Sequence, residues 1–548
     1  MDRRIGAVWC GTLTLLLLLC LKLGLYSCVN ARALASNAIA QRTASVPLET
    51  PRFDVFDRNG VALNSPEWRP AVAVFPGVCG SVEATDRIMA FLTGRHLMER
   101  KPQVVEVDQA RLRMVQEVLG DGYLAAAGIV AIKAKARYGA SSIARHVVGY
   151  VSDSSQGGIC GVELALDDWL RKAVPTRVAV QLDSSGMQIP WLGFRVLPGS
   201  GTPDSGVYLT IDHKLQRALE AVLDGCSKPC AGVVLDVRTG QVLAMSSRPQ
   251  FDQERVGASV GDARGPFLNR ALRAYTPGSV FKLVTAACAV EEGLVSPTEE
   301  FHCDGSVRIG NSVMKCSKKE GHGNLTIEGA LADSCNVSFT EIGRRIGASR
   351  LLEYARALGF GSKTGVGLPD EQPGNLPQPA SLYLGDLANV SIGQGAVTVT
   401  PLQVAACVAA IAGDGLYHTP RIVLKAVDER GQVVFHLGNT SARRVMSQET
   451  ANTLKRALCT AVRPGHTGAA AWVDPFGCGG KTGSAETGRL LPSGESVLHS
   501  WFAGFAPLDA PEYAACIFVE DGGFGGEVAA PMFARLMQAI FRSNLPEY

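Results

Sequence analysis

The sequence has little excess of charge of either sign and no stretch that is rich in basic residues. Its 548 residues include 53 Lys and Arg against 51 Asp and Glu, which gives a net charge of +2. Nucleic-acid binding requires a basic surface, so nucleic acid is not an expected partner. The chain also contains no internal repeat. Its content of 46% apolar and 19% charged residues is ordinary for a globular protein with two or three domains and a large core.

The N-terminus contains a long and nearly unbroken apolar segment. It runs from residue 5 to about residue 29 and directly follows Arg3 and Arg4. That length fits one membrane-spanning helix, and basic residues just before it predict a cytoplasmic N-terminus. We therefore expect residues 1–4 in the cytoplasm, residues 5–29 in the membrane and the rest outside it. The length favours an uncleaved anchor over a cleaved signal peptide or a lipoprotein signal at Cys28.

Three of the fifteen cysteines lie in this apolar segment, and the remaining ones follow it. Outside the cytoplasm such cysteines can form disulfides, and Cys226/Cys230 and Cys303/Cys316 are the candidate pairs. Most of the others lie singly in apolar surroundings, which is typical of small buried residues. Cys303, Cys316 and His322 also suggest a metal site. Their spacing matches no compact zinc pattern, however, so neither a metal nor a cofactor is expected.

Three short motifs follow one another in the second half of the chain. They are S-V-F-K at Ser279–Lys282, S-C-N at Ser334–Asn336 and K-T-G at Lys481–Gly483. In this order, S-x-x-K, S-x-N and K-T-G are the signature of serine acyl-transferases that recognise penicillin. Any one motif could arise by chance in so long a chain, but the ordered set with its flanking residues is far more specific. The set predicts an acyl-enzyme at Ser279.

The first motif combines a nucleophile with a base. Apolar residues recur at helical spacing after Ser279, so a helix is predicted to begin at or just before it. Ser279 and Lys282 then share a face, one turn apart. A serine hydroxyl is a poor nucleophile until a neighbouring base takes its proton, and a lysine is that base only if its pKa is lowered. Free backbone N–H groups at the start of the helix can hold an oxyanion.

The third motif occurs twice, and only one copy suits a substrate site. Lys363–Gly365 lies in a turn-rich loop, whereas Lys481–Gly483 precedes two apolar strands at residues 500–506 and 513–519. A strand beside the nucleophile can present a cation, a hydroxyl and backbone N–H groups to an extended peptide. We therefore assign catalysis to Lys481 and a structural loop role to Lys363.

With these motifs the chain resembles a class B, high-molecular-weight penicillin-binding protein, a peptidoglycan D,D-transpeptidase of bacteria. The likeness covers nearly everything after the apolar segment. Its further matches are Arg52–Gly60, Gly161–Glu163, Leu209–Asp212, Asn269–Ala271, His322–Gly323, Ile392–Gly395, Thr400–Gln403 and Trp501–Gly504. Two positions depart from the pattern: Phe53 stands where a glycine is usual, and Glu486 where an uncharged polar residue is expected.

The resemblance implies an α+β fold behind the single N-terminal transmembrane helix. Residues 30–205 would form a β-rich pedestal, similar to the family's dimerisation domain. Residues 206–548 would form the transpeptidase domain, an antiparallel sheet covered by helices together with an all-α subdomain. No separate glycosyltransferase domain is expected, because the segment before Ala231 resembles only the pedestal.

The resemblance also implies roles for the motif residues. Ser279 would attack the penultimate D-Ala carbonyl of a donor stem peptide and expel the terminal D-Ala. Lys282 would be the general base, and Ser334 and Lys481 would help to protonate the leaving group. An acceptor amine from a neighbouring strand would then complete the cross-link. β-Lactams mimic the D-Ala-D-Ala end and would acylate Ser279 instead.

Four residues are implied in substrate binding. Thr482 and Gly483 belong to the K-T-G strand, and Thr482 would bind the terminal carboxylate of the donor. Asn336 would hold the donor amide, and the backbone N–H of Ser484 would form the oxyanion hole together with that of Ser279.

The implied location is the bacterial cytoplasmic membrane, with one pass and an extracytoplasmic catalytic domain. The implied partners are a membrane glycosyltransferase of the SEDS type and proteins of elongation, division or sporulation. A β-lactamase or D,D-carboxypeptidase would use the same acylation with water as acceptor, but it needs neither anchor nor pedestal. A non-enzymatic β-lactam sensor would need more than about four cytoplasmic residues, and a relic site would have lost a motif residue.

Overall fold

The computed structural model describes residues 2–29, 34, 41–97, 101–152, 156–310, 312–436 and 442–543. Two compact units are present, and neither is continuous in sequence. The smaller unit comprises residues 1–52, 66–137 and 173–200, and the larger comprises residues 53–65, 138–172 and 201–548. Residues 53–65, 138–172 and 201–205 of the expected pedestal therefore belong to the larger unit. The functional division at residues 205 and 206 stays a prediction.

The chain begins with the α-helix Asp2–Gly24, which continues as a π-helical turn over Leu25–Val29. The most apolar 18 residues within residues 4–27 have a mean hydropathy of 2.0, and none of them is buried within the protein. The helix is therefore long and apolar enough to cross a membrane, in agreement with the apolar segment identified in the sequence.

The smaller unit is built mainly from two three-stranded antiparallel sheets. Their strands are Thr43–Pro47, Arg177–Gln181 and Phe194–Leu197, and then Gln103–Glu106, Glu67–Val74 and Ile129–Ala136. Its helices are Val82–Thr93, Gln109–Leu119 and Asp121–Ala126, with a 3-10 turn at Pro190–Leu192. Ser81 and Asp108 accept hydrogen bonds from the first backbone N–H groups of the two longer helices, which explains where these begin.

A five-stranded antiparallel sheet is the centre of the larger unit. In spatial order its strands are Val242–Arg248, Cys230–Asp236, Tyr513–Val519, Ser496–Ala506 and Gly479–Leu490. One face packs against the helices His213–Asp224 and Ala529–Ser543. The wholly buried helix Pro401–Ala412 contacts other residues of the sheet. Gly479–Leu490, named here the edge strand, is the last strand in this order.

The larger unit also contains a group of helices: Lys282–Glu291, Ile327–Ala332, Asn336–Ile346, Ala348–Ala357, Leu384–Ser391 and Gln448–Ala461. In the helix Ala529–Ser543, the buried residues Phe533, Leu536, Met537 and Ile540 recur at helical spacing. The sheet covered by helices confirms the expected α+β fold.

Shorter elements complete the larger unit. Its further strands are Asp54–Phe56, Gly206–Leu209, Val423–Val427 and Val433–His436 in one sheet, and the pairs Glu300–Cys303 with Gly323–Thr326, Ser306–Ile309 with Ser312–Lys315, and Leu416–His418 with Ala442–Arg444. Its short helices are Arg145–Val148, Gly161–Ala165 and Asp167–Leu170, with 3-10 turns at Val256–Ser259, Arg270–Leu272, Gly278–Phe281, Pro379–Ser381 and Ala469–Ala471.

Candidate active site

Ser279 lies in the 3-10 turn Gly278–Phe281, and Lys282 is the first residue of the α-helix that follows. The predicted helix start is therefore confirmed, with a tighter first turn than expected. Ser279 is half-buried and lines a cavity of about 640 Å³. Ser334, Asn336, Thr482 and Ser484 line the same cavity. The fold thus brings all three motifs together.

Lys282 is fully buried and bonded to the second motif. Its Nζ donates hydrogen bonds to the backbone oxygen of Ser334 at 2.6 Å and to Oδ1 of Asn336 at 2.7 Å, and it lies 3.2 Å from the hydroxyl of Ser334. Burial lowers the pKa of Lys282 to about 7. A large fraction of this lysine is then neutral at physiological pH, which a general base requires.

Ser334 has a backbone conformation that only a few non-glycine residues adopt. Its φ is +57°, and it lies between the helices Ile327–Ala332 and Asn336–Ile346. Such a conformation costs about 1–3 kcal/mol and is found most often at functional sites. Here it turns the chain so that both the carbonyl and the hydroxyl of Ser334 face Lys282.

The second K-T-G lies within the edge strand rather than before a strand. Lys481 is fully buried, and desolvation, together with the positive charge of Lys282, lowers its pKa well below the usual value, while Asp333 opposes that shift. Thr482 donates a hydrogen bond from its hydroxyl to that of Thr467 at 3.1 Å. Gly483 is opposite Trp501 in the neighbouring strand.

The backbone of the Ser279 turn packs directly against the edge strand. Gly278 has a φ of +56°, and a Cβ there would lie 2.9 Å from the carbonyl oxygen of Ser484. The indole of Trp501 donates a hydrogen bond to the carbonyl of Thr276 at 3.1 Å. Gly278 itself donates to the carbonyl of Gly393 at 2.9 Å. Only glycine permits this approach, which fixes the turn relative to the strand.

The first K-T-G is part of a closed loop elsewhere. Lys363 is exposed, and the carboxylate of the buried Glu371 accepts hydrogen bonds from the backbone and hydroxyl of Thr364, both at 2.6 Å, and from the backbone of Gly365 at 3.2 Å. The structure therefore places Lys363 outside the cavity, as the sequence analysis proposed.

Sequence reasoning missed a histidine–aspartate pair at the cavity wall. Nδ1 of His466 lies 2.7 Å from Oδ1 of Asp333, and His466 lines the cavity. The only sequence signal was the turn P-G-H-T-G shortly before the edge strand, and Asp333 directly before Ser334. Nothing in their separation along the chain indicated that they meet.

Three cysteines and a histidine form a compact donor set beside the second motif. The ligand atoms of Cys303, Cys316, His322 and Cys335 all lie within 4.8 Å of one another. Three thiols and one imidazole are a donor set that holds Zn²⁺ tetrahedrally. The sequence analysis did not include Cys335 in this set, because Cys335 lies inside the S-C-N motif. The four ligands come from two strand ends, a loop and the start of a helix, so their spacing in sequence forms no compact zinc pattern.

Neither candidate disulfide is formed in this structure. Cys226, Cys230, Cys303 and Cys316 are all free thiols. The Sγ atoms of Cys303 and Cys316 instead approach Nδ1 of His322 at 3.6 Å and 3.4 Å. Convergence on an imidazole, rather than on each other, suits metal binding better than a bridge.

Comparison with known proteins agrees with this geometry. Residues 230–538 match the family model of the penicillin-binding protein transpeptidase domain. The chain belongs to this family. Among its relatives, Stage V sporulation protein D of Bacillus subtilis is 30% identical over 556 residues, which cover 96% of this chain and 83% of that protein. Peptidoglycan D,D-transpeptidase MrdA of Escherichia coli K12 is 26% identical, over 90% of this chain and 86% of that protein.

Solved structures of this family share the fold. One, described as a peptidoglycan synthase complex that coordinates polymerization and crosslinking, has a TM-score of 0.73 at 28% identity and covers 100% of this chain and 99% of its own. Penicillin-binding protein 3 of Mycobacterium tuberculosis, complexed with aztreonam, has a TM-score of 0.66 at 26% identity over 92% of this chain and 98% of its own. The resemblance inferred from the motifs is confirmed.

Proposed function

We propose that this protein is a peptidoglycan D,D-transpeptidase that cross-links stem peptides through an acyl-enzyme at Ser279. The observation that carries the proposal is the pair of hydrogen bonds from the buried Lys282 to Ser334 and Asn336. Ser334 and Asn336 line the same cavity as Ser279 and Thr482. The family membership and the relatives named as D,D-transpeptidases support the same activity.

In the acylation step, neutral Lys282 accepts the proton of Ser279 as its Oγ attacks the penultimate D-Ala carbonyl. The C–N bond to the terminal D-Ala then breaks, and the leaving nitrogen needs one proton. Ser334 lies 3.2 Å from Lys282 Nζ and can relay that proton, so free D-alanine leaves and Lys282 is neutral again. Lys481, buried nearby with a lowered pKa, assists the transfer.

The backbone N–H groups of Ser279 and Ser484 are the proposed oxyanion donors. The close approach of Gly278 to Ser484 supports this, because it holds the two backbone segments in contact without a substrate. Donors fixed in advance stabilise the tetrahedral intermediate at little reorganisation cost. On the edge strand, Thr482 and Gly483 would bind the donor's terminal carboxylate and backbone, with Asn336 on its amide.

The second half-reaction transfers the acyl group to an amine. The nitrogen of the acceptor attacks the Ser279 ester, its proton passes to the lysine, and Ser279 Oγ regains a proton as the ester bond breaks. Water in place of the amine would give a D,D-carboxypeptidase or, with a β-lactam, a β-lactamase. Turnover of a penicilloyl-enzyme within seconds would favour those alternatives.

We further propose a single-pass anchor in the cytoplasmic membrane with the catalytic domain outside. The helix Asp2–Gly24 and the arginines before its apolar core support this topology. A membrane glycosyltransferase of the SEDS type is the proposed partner, supported by the related structure of a peptidoglycan synthase complex. Residues 30–205 and 206–548 remain the proposed pedestal and transpeptidase domains.

Labelling of the full-length protein with a fluorescent penicillin tests the site. We expect a stable adduct at Ser279 in the wild type and none in Ser279→Ala. An adduct on another residue would contradict the proposal.

A further inference from the structure

His466 directly precedes Thr467, and the side chain of Thr467 contacts Thr482, the threonine of K-T-G. The hydroxyl of Thr467 accepts a hydrogen bond from that of Thr482 at 3.1 Å and donates one to the carbonyl of Ala332 at 3.1 Å. Gly468 closes the same turn by donating its backbone N–H to the carbonyl of Ala461 at 2.9 Å. These contacts hold the His466 turn beside the K-T-G segment of the edge strand.

One ring nitrogen of His466 contacts Asp333, and the other can bind a ligand in the cavity. Nδ1 contacts the carboxylate of Asp333 at 2.7 Å, and the two side chains are 28% and 26% exposed. A carboxylate accepts, so Nδ1 carries a proton and Nε2 is left for other partners. Since His466 lines the cavity, Nε2 is available to a molecule bound there.

The charge of the cavity wall makes this ring unusual. Among the described residues that line the cavity, His466 is the only one whose side chain can become positive, while Glu486 and Glu527 are acidic. Lys282 and Lys481 are fully buried behind this wall, and both have lowered pKa values. A bound carboxylate would otherwise meet a wall without a cation, although an anion removed from water needs charge-assisted hydrogen bonds.

We propose that His466, held by Asp333, is a specificity-determining residue that binds the carboxylate of the donor substrate beside Thr482. The inference rests on the proposed function, because that reaction supplies a donor with a terminal carboxylate. In the complex both ring nitrogens donate to carboxylates, so the ring is the imidazolium form. Thr482 contributes a neutral hydroxyl and His466 contributes the charge.

A pair of β-lactams that differ only in this carboxylate tests the proposal. The second-order rate constant for acylation of Ser279 is measured by intact mass for benzylpenicillin and for its methyl ester. His466→Ala should lower the constant for the acid about tenfold or more, the value of one hydrogen bond to a charged group, and change that for the ester less than about twofold. His466→Gln, whose amide can also donate, should recover part of the preference for the acid.

His96→Ala is the matched control, since His96 forms a similar pair with Asp86 at 2.8 Å in the smaller unit. It should leave both constants unchanged. Equal losses for acid and ester in His466→Ala, or no change in either, would overturn the inference while leaving the proposed function intact. A wild-type protein that benzylpenicillin does not acylate at Ser279 would instead overturn the proposed function itself.

Discussion

The amine of Lys282 donates a hydrogen bond to the amide oxygen of Asn336, 54 residues later in the chain, at 2.7 Å. This contact joins the helix that follows the nucleophile to the helix that begins at the second motif. The amide nitrogen of Asn336 donates a hydrogen bond to the carbonyl of Lys315 at 3.0 Å. Hydrogen bonds to both the oxygen and the nitrogen of the amide therefore fix the orientation of this side chain. The proposed base and the proposed substrate-binding amide are therefore held together by direct contact.

The rate of acylation should depend on the protonation of Lys282. Its pKa is lowered to about 7 by burial, and only the neutral amine can take the proton of Ser279. The rate constant for penicillin should therefore rise with pH up to about 7 and fall about tenfold for each pH unit well below it. Stopped-flow measurement of the acylation rate constant between pH 5.5 and 8.5 tests this pH dependence. A flat profile through pH 6 would contradict the role of Lys282.

The two K-T-G lysines provide a matched comparison. Lys481→Met should lower the acylation rate constant about 100-fold or more, because it removes a buried amine next to Lys282. Lys363→Met should leave the constant unchanged, because Lys363 is exposed and Glu371 holds its loop through Thr364 and Gly365. The same penicillin assay serves both variants. Similar losses in the two would show that the assignment of catalysis to one copy of K-T-G was wrong.

A methyl group at Gly278 should disturb the site more than a methyl group at another glycine with positive φ. Gly278→Ala places a Cβ 2.9 Å from the carbonyl of Ser484, whereas Gly293, with a φ of +64°, has nothing within 4 Å. Both variants carry a left-handed backbone strain of about 1–2 kcal/mol, but only the first moves the Ser279 turn. Acylation should fall at least about tenfold in Gly278→Ala relative to Gly293→Ala. Equal rates would argue against the close approach.

The cysteine–histidine set should bind zinc. Full-length protein purified without chelator should contain about one zinc per chain by elemental analysis, and Cys303→Ser should lose it. Cys226→Ser, which removes a free thiol outside the set, should retain the metal. Because Cys335 lies between Ser334 and Asn336, removal of the metal should also lower the melting temperature and the acylation rate. Equal zinc content in both variants would exclude the set as the site.

Helices, strands and loops that depend on the local pattern of apolar and turn-forming residues were predicted well from the sequence. Residues after Ser279 at helical spacing located the helix Lys282–Glu291, and continuous apolar runs located the strands near residues 500 and 513. The turn-rich surroundings of Lys363 correctly predicted that this copy of K-T-G lies in a loop. Such features follow from periodicity and turn chemistry within a short window.

Contacts between distant segments were not predictable in this way. Asp333 and His466 meet across 133 residues, and Cys335 joins a set whose other members lie on separate strands and loops. The left-handed backbone of Ser334 was also missed, because serine has no intrinsic preference for it and tertiary contacts impose it. Segments 53–65 and 138–172 join the larger unit through equally non-local packing.

The central claim is that the acyl group on Ser279 passes to an amine. Full-length protein is incubated with a glycan polymerase and a lipid-linked precursor that carries a D-Ala-D-Ala stem peptide, and muramidase products are separated by mass. We predict cross-linked dimers with one D-alanine released per cross-link in the wild type, and neither product from Ser279→Ala. Released D-alanine with only trimmed monomers, or dimers formed by Ser279→Ala, would contradict the account.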